Sequence, residues 1–272
     1  MFWKTIGHTF AIVLLTLLTQ VGGLIWLIAL IIKYLAFQKR RFRFATPAIF
    51  TGLYLLATFF VVPPLAAKFG RVRLPLISNP HLRPESICFF LFNRNYVRPE
   101  LKTAVEAVAE QLQAKYPGAV IWYLDACFPF IEGYPLEPHF SHRDGQKIDL
   151  AFFWNEAQTG QPTHGTPSPF GYGVCAEAQP GEHDYNKICM GKGYWYISLC
   201  KQLAEPFFNP DNYVFDLDKN RELVRLFAEN QSVGKILIEP HLKTRLGLEG
   251  FDKLRRQGCK AARHDDHIHV QL

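Results

Sequence analysis

The sequence predicts an α+β domain, a small antiparallel sheet with flanking helices, preceded by two transmembrane helices. Three observations predict it. Two long stretches near the start carry no charge, short strand-like runs alternate with amphipathic helical ones further on, and Gly and Pro punctuate the rest.

The uncharged stretches cover residues 5–32 and 44–67. A helix needs about 20 apolar residues to cross a bilayer core, so both are read as spans, near residues 8–32 and 45–66. A cleaved signal peptide has an apolar region of only about 7–15 residues, which argues against that reading of the first. Pro63-Pro64 is expected to end the second span. Between the spans lie Lys33, Lys39, Arg40, Arg41 and Arg43. Such a basic loop marks the cytoplasmic side. Both termini and the domain are then expected on the periplasmic or outer side of the cytoplasmic membrane. The organisation is residues 1–70 as a membrane-embedded anchor, 71–87 as a linker and 88–272 as the folded domain.

The formal charge of +6 belongs to the N-terminal segment: residues 1–80 hold nine Lys and Arg and no Asp or Glu. The remainder is mildly acidic. That excludes nucleic-acid binding, which needs a basic face on the folded domain. All six cysteines (Cys88, Cys127, Cys175, Cys189, Cys200 and Cys259) fall after the apolar stretches. In an oxidising compartment they predict one to three disulfides, with the pairing left open.

Within the domain, Arg98-Pro99-Glu100 opens a helix, since Pro fits the first turn and an acid suits its positive end. Leu101, Ala104, Val105, Val108 and Leu112 form its apolar stripe, and Pro117-Gly118 stops it. Residues 119–124 and 148–154 read as buried strands. Residues 155–190 show no sustained period, and loops that long are usually functional. Asp218 is expected to cap a helix running to about Asn230. A strand at 235–238, a short helix at 249–257 and an alternating strand at 267–272 complete the chain.

Two clusters carry chemistry. Ser141-His142-Arg143-Asp144-Gly145-Gln146-Lys147-Ile148-Asp149 has the spacing H-x-x-G-x-x-x-D. His142 and Asp149 can meet only if the chain turns back, and Gly145 supplies that freedom. Asp149 opens an apolar strand, where an unpaired carboxylate is costly and a cation would satisfy it. The second cluster is His264-Asp265-Asp266-His267-Ile268-His269. Residues two apart on a strand share a face, so His267 and His269 point the same way. Together the clusters offer three ligands and an open position, the arrangement of catalytic zinc. Neither C-x-x-C nor G-x-S-x-G occurs.

These motifs resemble those of the penicillin-insensitive murein endopeptidases, within the zinc peptidase group that includes lysostaphin-type enzymes, D-Ala-D-Ala peptidases and the hedgehog domain. The family's first motif is similar to Pro138-His139-Phe140-Ser141-His142-Arg143-Asp144-Gly145, continuing to Asp149, except that Pro138 stands where the family has Gly. Its second motif, H-x-D-H-x-H, resembles His264–His269 at each histidine. The likeness covers roughly residues 88–272. It implies a zinc peptidase fold, zinc on His142, Asp149 and His269, His267 as general base, His264 as transition-state stabiliser and a peptidoglycan peptide as substrate. In the related D-Ala-D-Ala peptidases the base falls on the position of Asp266, so Asp266 and His267 both stand as candidates. His139 matches without an assigned role. A D-Ala-D-Ala carboxypeptidase or dipeptidase, or a hedgehog-like binding module without catalysis, remains the alternative. Oligomeric state is not readable.

Overall fold

The computed structural model describes residues 2–36 and 44–272. The expected cytoplasmic marker Lys39, Arg40, Arg41 and Arg43 lies outside the described residues.

The first apolar stretch is two helices, not one span. α1 (Phe2–Thr19) and α2 (Gly22–Ala36) are separated at Gln20, which adopts φ +67°. Thr19 Oγ1 accepts the Gly22 N–H at 2.8 Å and starts the second helix. α2 then folds back along α1 so closely that a Cβ on Gly23 would meet Thr16 Oγ1 at 1.9 Å. At about 1.5 Å per residue, 18 and 15 residues give roughly 27 and 22 Å, short of a bilayer core of roughly 30 Å. Among the described residues one helix is long and apolar enough to cross, the 24 residues Ala45–Lys68. It comprises α3 (Ala45–Leu56), a π-helical turn (Ala57–Val61) and α4 (Val62–Lys68). Pro63-Pro64 does not end it. Both prolines fall in the first turn of α4, just after the wide turn, where their missing N–H groups are tolerated.

The helices pack on the domain. Gln20 Oε1 accepts the Phe130 N–H at 2.9 Å, and the Tyr134 hydroxyl donates to Thr16 O at 2.8 Å. The Tyr54 hydroxyl donates to Leu91 O at 2.6 Å. The α1–α2 turn therefore faces the domain, and the Phe2 end lies on the far side with Ala36.

Residues 71–87 are part of the domain, not a linker. They carry β1 (Val72–Arg73) and β2 (Leu82–Pro84), and Leu74 and Leu82 are fully buried. There follow α5 (Ile87–Leu91), β3 (Tyr96–Val97), α6 (Pro99–Lys115) and β4 (Ile121–Tyr123). α6 buries the predicted stripe of Leu101, Ala104, Val105, Val108 and Leu112. The expected strand at 148–154 is two strands, β5 (Lys147–Ala151) and β6 (Trp154–Glu156), which join different sheets. Beyond α7 (Tyr185–Gly191), at the end of the 155–190 insert, and α8 (Leu199–Ala204) comes β7 (Tyr213–Phe215), partner of β6. α9 (Leu217–Glu229) is capped by Asp216, which accepts the Lys219 N–H, and not by Asp218. β8 (Lys235–Leu237) lies where expected. The helix expected at 249–257 is displaced to α10 (Pro240–Arg245), and β9 (Leu254–Arg255) occupies that stretch. β10 (His267–Gln271) closes the sheet.

The main sheet runs β2-β4-β5-β10-β8-β9. Its centre is antiparallel as expected, but the β2–β4 and β8–β9 edges are parallel, so the sheet is mixed. One disulfide, Cys189–Cys259, ties α7 to the segment before β10. Cys88, Cys127, Cys175 and Cys200 are free thiols.

Candidate metal centre

β5 and β10 are neighbours in the middle of the sheet, and their register pairs His269 directly with Asp149. Directly paired residues project on one face, so residues 120 apart in sequence meet there. The His269 Nδ1 to Asp149 Oδ1 distance is 2.8 Å. His142 arrives from the turn before β5. Gly145 adopts φ +76°, the left-handed conformation that the reversal requires.

His142 Nδ1 lies 2.9 Å from the Ala126 carbonyl, which fixes that nitrogen as the donor. Nε2 is then free as a ligand, the arrangement in which an outer carbonyl orients a metal-binding imidazole. It stands 3.0 Å from His269 Nδ1 and 3.1 Å from Asp149 Oδ1. Zinc bonds of about 2.0–2.1 Å at tetrahedral angles need ligand atoms about 3.3 Å apart. The three donors fit that ion after small outward movements. They are buried, at 1%, 0% and 3% exposure for His142, Asp149 and His269. Burial alone would raise the pKa of Asp149, but His142 and His267 outweigh it and hold the carboxyl well below its usual range. Asp149 is therefore an anion ready for a cation.

His267 sits beside this trio. Its Nδ1 lies 2.6 Å from Asp266 Oδ1, while Nε2 faces Asp149 Oδ2 at 3.7 Å. Burial would lower its pKa, yet the charges of Asp266 and Asp149 raise it. Asp266 spends its other oxygen on the Gly173 N–H at 2.7 Å, so both of its acceptors are engaged behind His267. His264 also faces the cleft. Burial, with His267 and His269 beside it, pushes its pKa well below the usual value, and it is neutral at pH 7.

Two residues absent from the sequence motifs belong here. The Tyr172 hydroxyl, from the insert, donates to Asp149 Oδ2 at 2.9 Å and accepts the Asp125 N–H at 3.1 Å. Asp125 is gripped by Arg94 at 2.6 and 2.8 Å and lies 3.1 Å from His139 Nδ1. Asp125 was findable, because it ends an apolar strand as Asp149 begins one. Tyr172 lies in a stretch without period and gave no signal. His164 and His183 are exposed and do not line the cleft; His164 packs at a tilt against Trp122 instead. Trp154 is a core residue, and Tyr196 is a wall of the cleft.

The histidines open into a cleft of about 480 Å³, walled by Phe140, Tyr196, Leu199 and Cys200, with Lys260 at its side. The Lys260 segment is held by the Cys189–Cys259 disulfide. No family model matches the chain, and no curated protein matches it.

Proposed function

We propose that the chain is a membrane-anchored zinc metallopeptidase that hydrolyses peptide crosslinks of peptidoglycan. The observation that carries this reading is the convergence of His142 Nε2, Asp149 Oδ1 and His269 Nδ1 within 2.8–3.1 Å of one another, beneath an open cleft. His142, Asp149 and His269 would hold a zinc ion, which would supply Lewis acidity and activate a water for attack near neutral pH. His267 takes a proton on Nε2, since Asp266 holds its Nδ1–H, and returns it to the leaving amine. Neutral His264 donates a hydrogen bond to the developing oxyanion. Tyr172 and Ala126 fix the orientation of Asp149 and His142. Asp266 is occupied from both sides, which favours His267 over it as the base.

The substrate class rests on the motif resemblance and on the anchor. The helix Ala45–Lys68 is long enough to cross a bilayer, and the N-terminal helices leave Phe10, Leu24, Leu35 and Phe60 exposed, as a lipid environment favours. The positive-inside rule sets the domain outside the cytoplasmic membrane. Full-length protein in detergent is expected to bind zinc and to release peptide fragments from purified murein. EDTA is expected to stop it, and His142→Ala to lose both metal and activity. Zinc-loaded protein inert on murein would refute the substrate; protein that binds no metal would refute the centre.

One observation favours a second reading, trimming of D-Ala termini. Lys260 stands beside the cleft, where an ammonium could hold a terminal carboxylate. Mass spectrometry of the products separates released D-Ala from cut crosslinks.

A further inference from the structure

Asp149 has two oxygens, and the proposed catalytic ion uses one. Oδ1 faces His142 and His269. Oδ2 faces a different pair, His139 Nδ1 at 3.4 Å and His267 Nε2 at 3.7 Å. The ligand atoms of His139, Asp149 and His267 all lie within 4.8 Å of one another, and all three residues are buried. The 3.4 Å spacing of His139 Nδ1 matches the roughly 3.3 Å edge of a tetrahedral zinc site, and the 3.7 Å spacing of His267 Nε2 lies a little beyond it.

The surroundings suit a cation. His267 Nδ1 is bound to the Asp266 carboxylate at 2.6 Å, the orientation that carboxylate-backed zinc histidines adopt, and its Nε2 is aimed inward. His139 is 7% exposed, and its Nε2 has no hydrogen-bond partner, with the Cys200 thiol as its neighbour. His139 Nδ1 also lies 3.1 Å from Asp125 Oδ2, so a cation bound here takes the place of the proton between those two atoms, while Nε2 keeps its hydrogen on the Cys200 side. Oδ2 of Asp149 accepts Tyr172 at 2.9 Å through one lone pair and keeps the other.

We infer that His139, Asp149 Oδ2 and His267 form a second divalent-cation position, bridged to the first through Asp149, and that zinc in it inhibits the enzyme. This rests on the metallopeptidase reading. Repulsion between two dications that share a carboxylate makes the second position the weaker. Its occupation takes the lone pair of His267 Nε2, so the base can no longer accept a proton. Loss of a general base removes about 10²–10⁴ of rate. Zinc at low excess is thus an activator, and at higher excess an inhibitor.

The test is a zinc titration of full-length apo-protein in detergent against a chromogenic chelator, with murein hydrolysis read in parallel. Two equivalents are expected, and activity rises with the first and falls about tenfold or more as the second binds. His139→Asn is expected to retain one equivalent and, scaled to its own maximum, to lose the falling limb. Wild type that binds one equivalent and is active without inhibition at excess zinc overturns the inference and leaves the metallopeptidase reading intact. Two equivalents retained in His139→Asn overturn it as well. No bound zinc overturns both. Should His139→Asn not fold, imidazole ¹⁵N shifts of wild type decide. The first equivalent should move His142 and His269, and the second His139 and His267; unmoved His139 and His267 signals refute the second position.

Discussion

Asp266→Asn isolates the orientation of the proposed base. Asp266 accepts from both sides, His267 Nδ1–H at 2.6 Å and the Gly173 N–H at 2.7 Å. An amide has the same shape but only one acceptor. If its oxygen keeps Gly173, its NH₂ faces His267, which must give up its Nδ1 proton and carry it on Nε2. The nitrogen that should accept the proton is then already protonated. If the amide turns round, its NH₂ meets the Gly173 N–H instead, and a buried donor without an acceptor costs about 1–3 kcal/mol. Gly173 is fixed backbone, so the first arrangement is expected. The equivalent Asp→Asn change in a serine-protease triad lowers kcat by about 10⁴ through the wrong tautomer; a loss of about 10²–10⁴ is expected here. The first zinc equivalent should be retained, because Asp266 touches none of His142, Asp149 and His269. The assay pairs murein hydrolysis with imidazole ¹H–¹⁵N spectra, which show the His267 proton move from Nδ1 to Nε2. Activity within a few-fold of wild type, with the tautomer shifted, would refute His267 as base.

Three further outcomes follow from the same geometry. Tyr172→Phe removes a donor from Asp149 and leaves the Asp125 N–H unpaired, so zinc affinity should fall about 10–100-fold in a chelator competition. Replacing Cys189 and Cys259 by Ser opens a cross-link spanning 70 residues, for which loop entropy predicts a loss of up to about 4 kcal/mol, read by denaturant unfolding with and without reductant. Arg225, against the opposing effect of burial, and Lys115 hold Glu222 down at about 2. A depressed carboxylate stabilises above its unfolded pKa and loses that contribution as pH falls toward 2. Glu222→Gln should therefore cost about 1 kcal/mol at pH 7 and nothing below pH 2, measured by unfolding across that range.

Much of the centre was legible because its chemistry is local in sequence. The H-x-x-G-x-x-x-D and H-x-H spacings name His142, Asp149, His267 and His269, and strand alternation puts the last two on one face. Tyr172 was not legible, because a hydroxyl reaching Asp149 from 23 residues away leaves no periodic trace. The fold was clear where a stripe marks one helical face, as in α6. It was obscure where a stretch is apolar throughout. Residues 148–154 hide the break between β5 and β6, since Phe152 is buried in the core whichever way the backbone turns. Residues 5–32 hide the reversal at Gln20 for the same reason: composition records what is apolar, not where the chain bends. The parallel edges escaped notice because β2 has only three residues and β9 only two. Asp216 and Asp218 are equally good caps on paper, and only the backbone geometry chooses.

The contacts of Gln20 with Phe130, Thr16 with Tyr134 and Tyr54 with Leu91 turn the N-terminal helices into a foundation, where a flexible tail would have been a leash. The polypeptide then works as a ruler. On the proposed reading of an anchored peptidase, the cleft is held at one fixed height and tilt, so that only substrate passing at that distance from the lipid surface is cut, and lateral diffusion in the plane replaces swinging as the means of search.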